Sequence, residues 1–253
     1  MTKNIIIIHE PSQSEPYLIL SKPRGLPSAP LKYGDESAYT QAEKLFPALK
    51  NVVGKKNVEH GLIHRIDTET EGLLLIASTQ LFYDYMQDVQ DKGLFIKTYN
   101  AVCTVKKETD LKNFEKGFPS APFIDFTKTD FNYAVRSRFR PYGVGRKEVR
   151  PVEESSGKAA LKKASSVIYE TYVSGKFNEE HSLCDVTCTI SKGYRHQVRC
   201  HLAWIGLPIK GDPLYSNVSA KSEYNEKFFF TASGFKFPYI DGTEKSFFLN
   251  ARK

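Results

Sequence analysis

The chain has 253 residues, of which 40% are apolar and 26% charged, and it carries a net charge of +7 at neutral pH. That length supports a substantial core in one large domain or two small ones, and the composition is that of an ordinary globular protein rather than a disulfide framework. The positive balance makes a polyanionic partner the reading to weigh against simple solubility.

From the N-terminus, "NIIII" and "YLILS" predict two strands, and "KPRGLPSAP" is a turn-rich loop that cannot be a helix interior. Tyr39, Ala42, Leu45, Phe46 and Leu49 give a helical stripe interrupted by Pro47. "LLLIA" at 73–77 predicts a short buried strand. Ser78 is the expected cap of the next helix, in which Leu81, Tyr85 and Val89 share a face with Phe82 and Met86 before Gly93 ends it. "LFIKTYNAVCTV" then alternates for twelve residues, with Phe95, Lys97, Tyr99, Ala101, Cys103 and Val105 on one side. Two further strands are predicted over 164–173 and 183–190, a helix over "HQVRCHLAWIG" stopped by Gly206, and one or two strands in "FFFTASGFKF". Strands follow strands too often for a regular βαβ series, so the expected class is α+β with a mixed, mainly antiparallel central sheet and flanking helices.

Residues 136–150, "RSRFRPYGVGRKEVR", set Arg136, Arg138, Arg140, Arg146, Lys147 and Arg150 against Glu148, with Tyr142 and two glycines interleaved. Cationic forks, an aromatic ring and flexible backbone suit contact with a nucleic-acid backbone, so the stretch reads as a basic insertion loop, with Arg138, Arg140 and Arg146 as substrate contacts. "PVEESSGKAALKKASS" reads as a flexible connection. Cys103, Cys184, Cys188 and Cys200 have no tight paired spacing, and Cys184 and Cys188 fall on one face of an alternating segment. Core packing is therefore their expected role, since zinc near His181 would need four ligands. "MTKNIIIIHEP" holds an apolar run too short for a signal peptide, and no stretch is long enough to span a membrane, so a reduced cytoplasmic protein is the default.

The chemistry concentrates in "HGLIHRIDTETEGLLLIAS", residues 60–78. Metal ligation by His60, His64 and Asp67 is one reading, but Gly61 weakens a helix and no partner carboxylate is evident. A structural loop, its charges paired at a strand entrance, is the second. The third makes Asp67 a reactive carboxylate and rests on "SKGYRHQVRCHLAWIGLPIKGDPLY". A helix beginning near His196 presents Arg199 on its first turn, where it could fork onto a carboxylate from the other half of the chain. Such a pair would hold Asp67 ionised and aimed, as a nucleophile requires.

At these residues the chain resembles the pseudouridine synthases of the RluA type. Their marker loop, His-Arg-Leu-Asp, two variable residues, Thr-Ser-Gly and an apolar strand, is matched by "HRIDTETEGLLLIA". The resemblance extends through "ILSKPRGLPSAP", "KTYNAV", "HQVRCHLAWIGLPIKGDPLY" and "FFFTASGFKFP", in the family's order and over nearly the whole chain. It implies a pseudouridine synthase-like fold forming a single catalytic domain over 1–253. The implied enzyme isomerises uridines in structured RNA, ribosomal or transfer, without a cofactor or metal.

Asp67 would be the catalytic aspartate, Tyr99 the tyrosine packed on the target base, and Arg199 the arginine paired with the aspartate. Arg65 would enter the nucleic-acid stack, and His64 beside it is a further substrate contact. The chain departs from the pattern at Glu71, where the family has Ser, and at Tyr194 and Arg195, where it has Arg and a small or polar residue. Many relatives carry a small S4-type RNA-binding domain before the catalytic one; "YLILSKPRGL" begins near residue 17, leaving no room for it. A monomer suffices for this activity. A non-catalytic RNA-binding or assembly protein on the same scaffold is the competing class, and intact Asp67, Tyr99 and Arg199 speak against it.

Overall fold

A computed structural model describes residues 3–107, 117–121, 124–127, 130–216 and 228–249. They fall into two compact units, one holding residues up to Lys97 and from Thr231 onward, the other Thr98–Phe230. The division passes through two strands.

In the first unit, β1 (Ile6–His9), β2 (Tyr17–Lys22) and β3 (Glu71–Ala77) are successive antiparallel neighbours. β9 (Phe230–Pro238) runs parallel to β3, through Glu71↔Thr231 and Gly72↔Ala232, and β10 (Glu244–Phe248) pairs antiparallel with β9. Two α-helices and a short 3-10 helix (Pro47–Asn51) are also described in this unit. α1 (Ala38–Leu45) starts at a Ser37–Thr40 capping box, in which each side chain bonds the other's backbone N–H. α2 (Gln80–Asp91) is capped by Thr79, one residue later than Ser78, because Thr79 Oγ1 takes the N–H of Phe82. Its buried face is Phe82, Tyr83, Met86 and Val89, whereas Leu81 is exposed. Those residues join Tyr17, Ile19, Leu73, Leu75, Phe235 and Phe237 in one apolar core.

In the second unit, β4 (Ile96–Thr104) neighbours β8 (Leu183–Ile190), and β8, β7 (Tyr169–Asn178), β5 (Phe131–Tyr142) and β6 (Glu148–Val152) follow in that order. The β8–β7, β7–β5 and β5–β6 pairings are antiparallel. α3 (Lys158–Leu161) is a single turn, and α4 (Gln197–Trp204) is buried along its whole length. The expected α+β class with a mixed, mainly antiparallel sheet is the class observed.

Three local expectations need correction. Residues 136–150 are not a loop but the β5–β6 hairpin, with Arg138↔Val152, Arg140↔Arg150 and Tyr142↔Glu148 in register. Val135, Ser137 and Phe139 are buried and Arg136 is exposed, so the arginines mark the outer face of a strand. Gly143 and Gly145, both at positive φ, make the turn. The supposed connection after it begins as the end of β6 and contains α3. The strand placed at 164–173 lies at Tyr169–Asn178, because its pairing follows β5 from Phe131 to Ser137.

Candidate active site

The loop 60–70 of the first unit is held by the segment between β2 and α1. Ser28 Oγ donates to Ile66 O at 2.7 Å and accepts from Ile66 N at 3.1 Å. Gly25 N donates to Thr68 O at 2.7 Å. Lys22 is 0% exposed and its Nζ donates to Leu26 O at 2.6 Å, Pro23 O at 3.1 Å and Thr68 O at 3.1 Å. The turn closes on itself through Thr70 N to Asp67 O at 3.0 Å, which places Asp67 at its head with Ile66 packed inward. Thus "SKPRGLPS" is the support on which "HRIDT" sits, a role that its sequence did not disclose. Burial lowers the Lys22 ammonium to about 8, while Glu69, Asp67 and Glu71 pull it back up. One buried cation therefore faces the loop's acidic run.

The two histidines serve the unit's own packing. The His60 ring stacks on Tyr39 at 5.2 Å, and His64 Nε2 accepts from Leu75 N at 3.3 Å. The His64 ring meets Phe95 and Phe235 edge-on, and burial, with Lys97 as a lesser cause, lowers its pKa to about 3. It is neutral at physiological pH, with its buried Nδ1 unpartnered. Arg65 has a side chain 55% exposed, and its Nη1 donates to Glu59 Oε1 at 2.7 Å. Glu71, the residue that departs from the family's Ser, receives the Thr231 hydroxyl at 3.5 Å across the β3–β9 pairing.

In the second unit Tyr99 is 8% exposed and stacks on Phe230, centroids 5.3 Å apart and planes 11° from parallel. Arg199 lies on α4, whose polar residues are all buried. Gln197 donates to Glu170 O at 2.8 Å and to Thr171 Oγ1 at 3.1 Å. His201 bridges Ser137 Oγ at 2.9 Å and Thr171 Oγ1 at 2.8 Å, and burial holds its pKa down to about 3. On Arg199, Nε donates to Asp212 Oδ2 at 2.8 Å and Nη2 to Asp212 Oδ1 at 2.7 Å. Asp212 is the "Gly-Asp-Pro" residue, and its pairing with an arginine thirteen positions earlier was not foreseen.

The cations of the β5–β6 hairpin are not equivalent. Arg136 pairs with Glu170. Arg150 is buried, ion-paired with Glu148 at 2.6 Å and covered by the rings of Phe118 and Tyr142. The Arg140 guanidinium lies over Tyr142 at 4.9 Å. Arg146 is exposed in the turn, and Arg138, half-buried, has no ion pair or side-chain hydrogen bond among the described residues. Arg195 donates to the carbonyls of Arg146 and Glu148, tying the turn to the start of α4, while Tyr194 stacks on Phe139. All four cysteines are free and buried, as core packing requires.

Residues 16–204 match the family described as RNA pseudouridylate synthase, and the chain belongs to that family. Its relatives include "Ribosomal large subunit pseudouridine synthase C" of Rickettsia felis, 28% identical over 64% of this chain and 43% of that protein. "Uncharacterized RNA pseudouridine synthase YhcT" of Bacillus subtilis is 24% identical over 80% and 55%. The chain thus spans about half the length of these curated relatives. In fold it is similar to "Human RNA Pseudouridylate Synthase Domain Containing 1", with a TM-score of 0.66 at 16% identity, covering 98% of this chain and 84% of that one.

Proposed function

We propose that the protein is an RNA pseudouridine synthase acting on a uridine in structured ribosomal or transfer RNA, with Asp67 as the catalytic carboxylate. The observation that carries this is the tethered Asp67 turn: three supports, Lys22, Gly25 and Ser28, hold the backbone on either side of Asp67. A catalytic group needs that preorganisation, and a merely solvated loop does not. The reaction breaks the base–ribose bond at nitrogen, turns the uracil and rejoins it through carbon 5. It is redox-neutral and draws on no cosubstrate. Asp67 serves as nucleophile or base.

Tyr99 presents a stacking ring for the extruded base, worth about 1–3 kcal/mol against an extrusion cost of a few kcal/mol. Arg199 supplies the fixed cation of the reaction, and Arg65 contacts substrate from the loop, with His64 behind it tying the loop to β3 through Leu75 N. Arg65 must exchange Glu59 for RNA. Arg138, Arg140 and Arg146 take phosphates along the hairpin. The chain works as a single catalytic domain, a monomer in the cytoplasm; no helix among its described residues is long and apolar enough to cross a membrane.

A pseudouridine map of total RNA from cells with and without the gene tests this. The expected result is one or a few modified uridines that disappear with the gene and return with the intact gene. Identical maps would overturn the proposal.

A further inference from the structure

Arg199 forks onto a carboxylate, Asp212, that neither the family assignment nor the proposed reaction uses. Asp212 is 1% exposed and Arg199 3%, and the two meet through a two-pronged contact along the Nε–Nη2 edge of the guanidinium. The carboxylate is itself anchored. Its Oδ1 also accepts the backbone N–H groups of Leu214 at 2.8 Å and Tyr215 at 3.2 Å. The segment leading to it is pinned along β4, with Thr104 N on Pro208 O, Lys106 N on Gly206 O and Lys210 N on Val102 O. Gly211, at φ 75°, then turns the chain so that Asp212 faces α4. Rings complete the cradle: Tyr215 and Phe228 lie over the guanidinium at 5.4 and 5.2 Å. Tyr215 is fixed in turn by Val149 N on its hydroxyl oxygen at 2.9 Å.

A fork held along one edge and covered by rings has its plane determined. We propose that Asp212 is a positioning residue for the isomerisation. It sets the guanidinium plane of Arg199, directs the Nη1 edge away from the pair, and lowers the net charge that Arg199 brings to the reaction. This rests on the reading of Arg199 as catalytic. A residue that only stabilised the fold would change the amount of folded protein, not the rate at which folded protein reacts.

The test is single-turnover pseudouridine formation at saturating RNA by folded wild type, Asp212→Asn, Arg199→Lys and the double variant. Misplacement of about 1 Å costs roughly 100-fold in rate. Asp212→Asn is therefore expected to lose about that factor while binding RNA within about threefold of wild type. Because Asp212 acts through Arg199, the double variant should be no slower than Arg199→Lys alone. A wild-type rate in Asp212→Asn, or losses that multiply in the double variant, would overturn the inference. A wild-type rate in Arg199→Lys would instead remove the catalytic reading of Arg199, a separable failure. Should Asp212→Asn not fold, nitrogen-15 spectra of the wild-type guanidinium groups decide the matter. Slow rotation at Arg199 supports the clamp, and a freely averaging signal contradicts it.

Discussion

Gly72→Ala isolates the joint between the Asp67 turn and the sheet. Gly72 sits at φ 129°, a conformation that only glycine adopts without strain, and it is opposite Lys22 on β2 and Ala232 on β9. A Cβ there would stand 2.2 Å from Ala232 O, 2.7 Å from its C and 2.8 Å from its N. These are backbone atoms, so no side chain can swing aside. Glu71↔Thr231 and Gly72↔Ala232 make up the parallel β3–β9 register, and the substitution forces it apart. Backbone strain contributes about 1–3 kcal/mol. Two lost ladder hydrogen bonds add about 0.5–1.5 kcal/mol each, for a total of roughly 4 kcal/mol. Urea unfolding followed by far-ultraviolet circular dichroism measures it. The expected outcome is an unfolding free energy lowered by that amount, with loss of activity because the turn carrying Asp67 leads into β3 through Glu71 and Gly72. A loss below about 1 kcal/mol, the scale on which a tolerated Gly→Ala change stabilises through the unfolded chain, would refute the reasoning.

Acid should destabilise the fold through its buried imidazoles. An unfolded chain protonates histidine near 6.5, whereas His201 in the fold stays neutral to about 3. Its contribution is therefore complete above pH 6.5 and falls as pH drops toward 3. By pH 4.5 the loss is about 3 kcal/mol, with His64 acting in the same direction. His201→Gln should flatten urea-midpoint curves between pH 7 and 4.5, and parallel curves would contradict this. Tyr99→Phe keeps the ring that stacks on Phe230 and should bind RNA normally yet react slowly, whereas Tyr99→Leu should lose binding as well. Equal small effects would make Tyr99 a packing residue. Replacing Arg138, Arg140 and Arg146 by Ala should weaken RNA binding and flatten the plot of log affinity against log salt by about two units. Unchanged affinity and slope would place the RNA contact elsewhere.

Much of this was legible because the local signals agree with the final packing. "LCDVTCTI" alternates and is β8 residue for residue. "HQVRCHLAW" is α4 except for its first residue, His196, the N-cap. The hairpin was not legible. Its outer face is so rich in arginine that the alternation of Val135, Ser137 and Phe139 beneath it reads as polar loop, and two turn glycines read as hinges. Arg150 illustrates the same difficulty, a cation made internal by Glu148 and two aromatic rings that sequence spacing does not connect. Lys22 and Asp212 escaped notice for a related reason. Each acts through partners brought by turns, Thr68 for the first and Arg199 for the second, and no periodicity records such meetings.

The central claim is that Asp67 does the chemistry, and one measurement addresses it most directly. RNA purified from cells lacking the gene would be incubated with the purified protein or with Asp67→Asn, and pseudouridine counted against time at the uridine that the gene modifies. The amide keeps the shape of the turn but neither attacks nor accepts a proton. The account predicts repeated turnover by the wild type and no product from Asp67→Asn, with folding and RNA affinity retained. Multiple turnover by the Asn variant would contradict it.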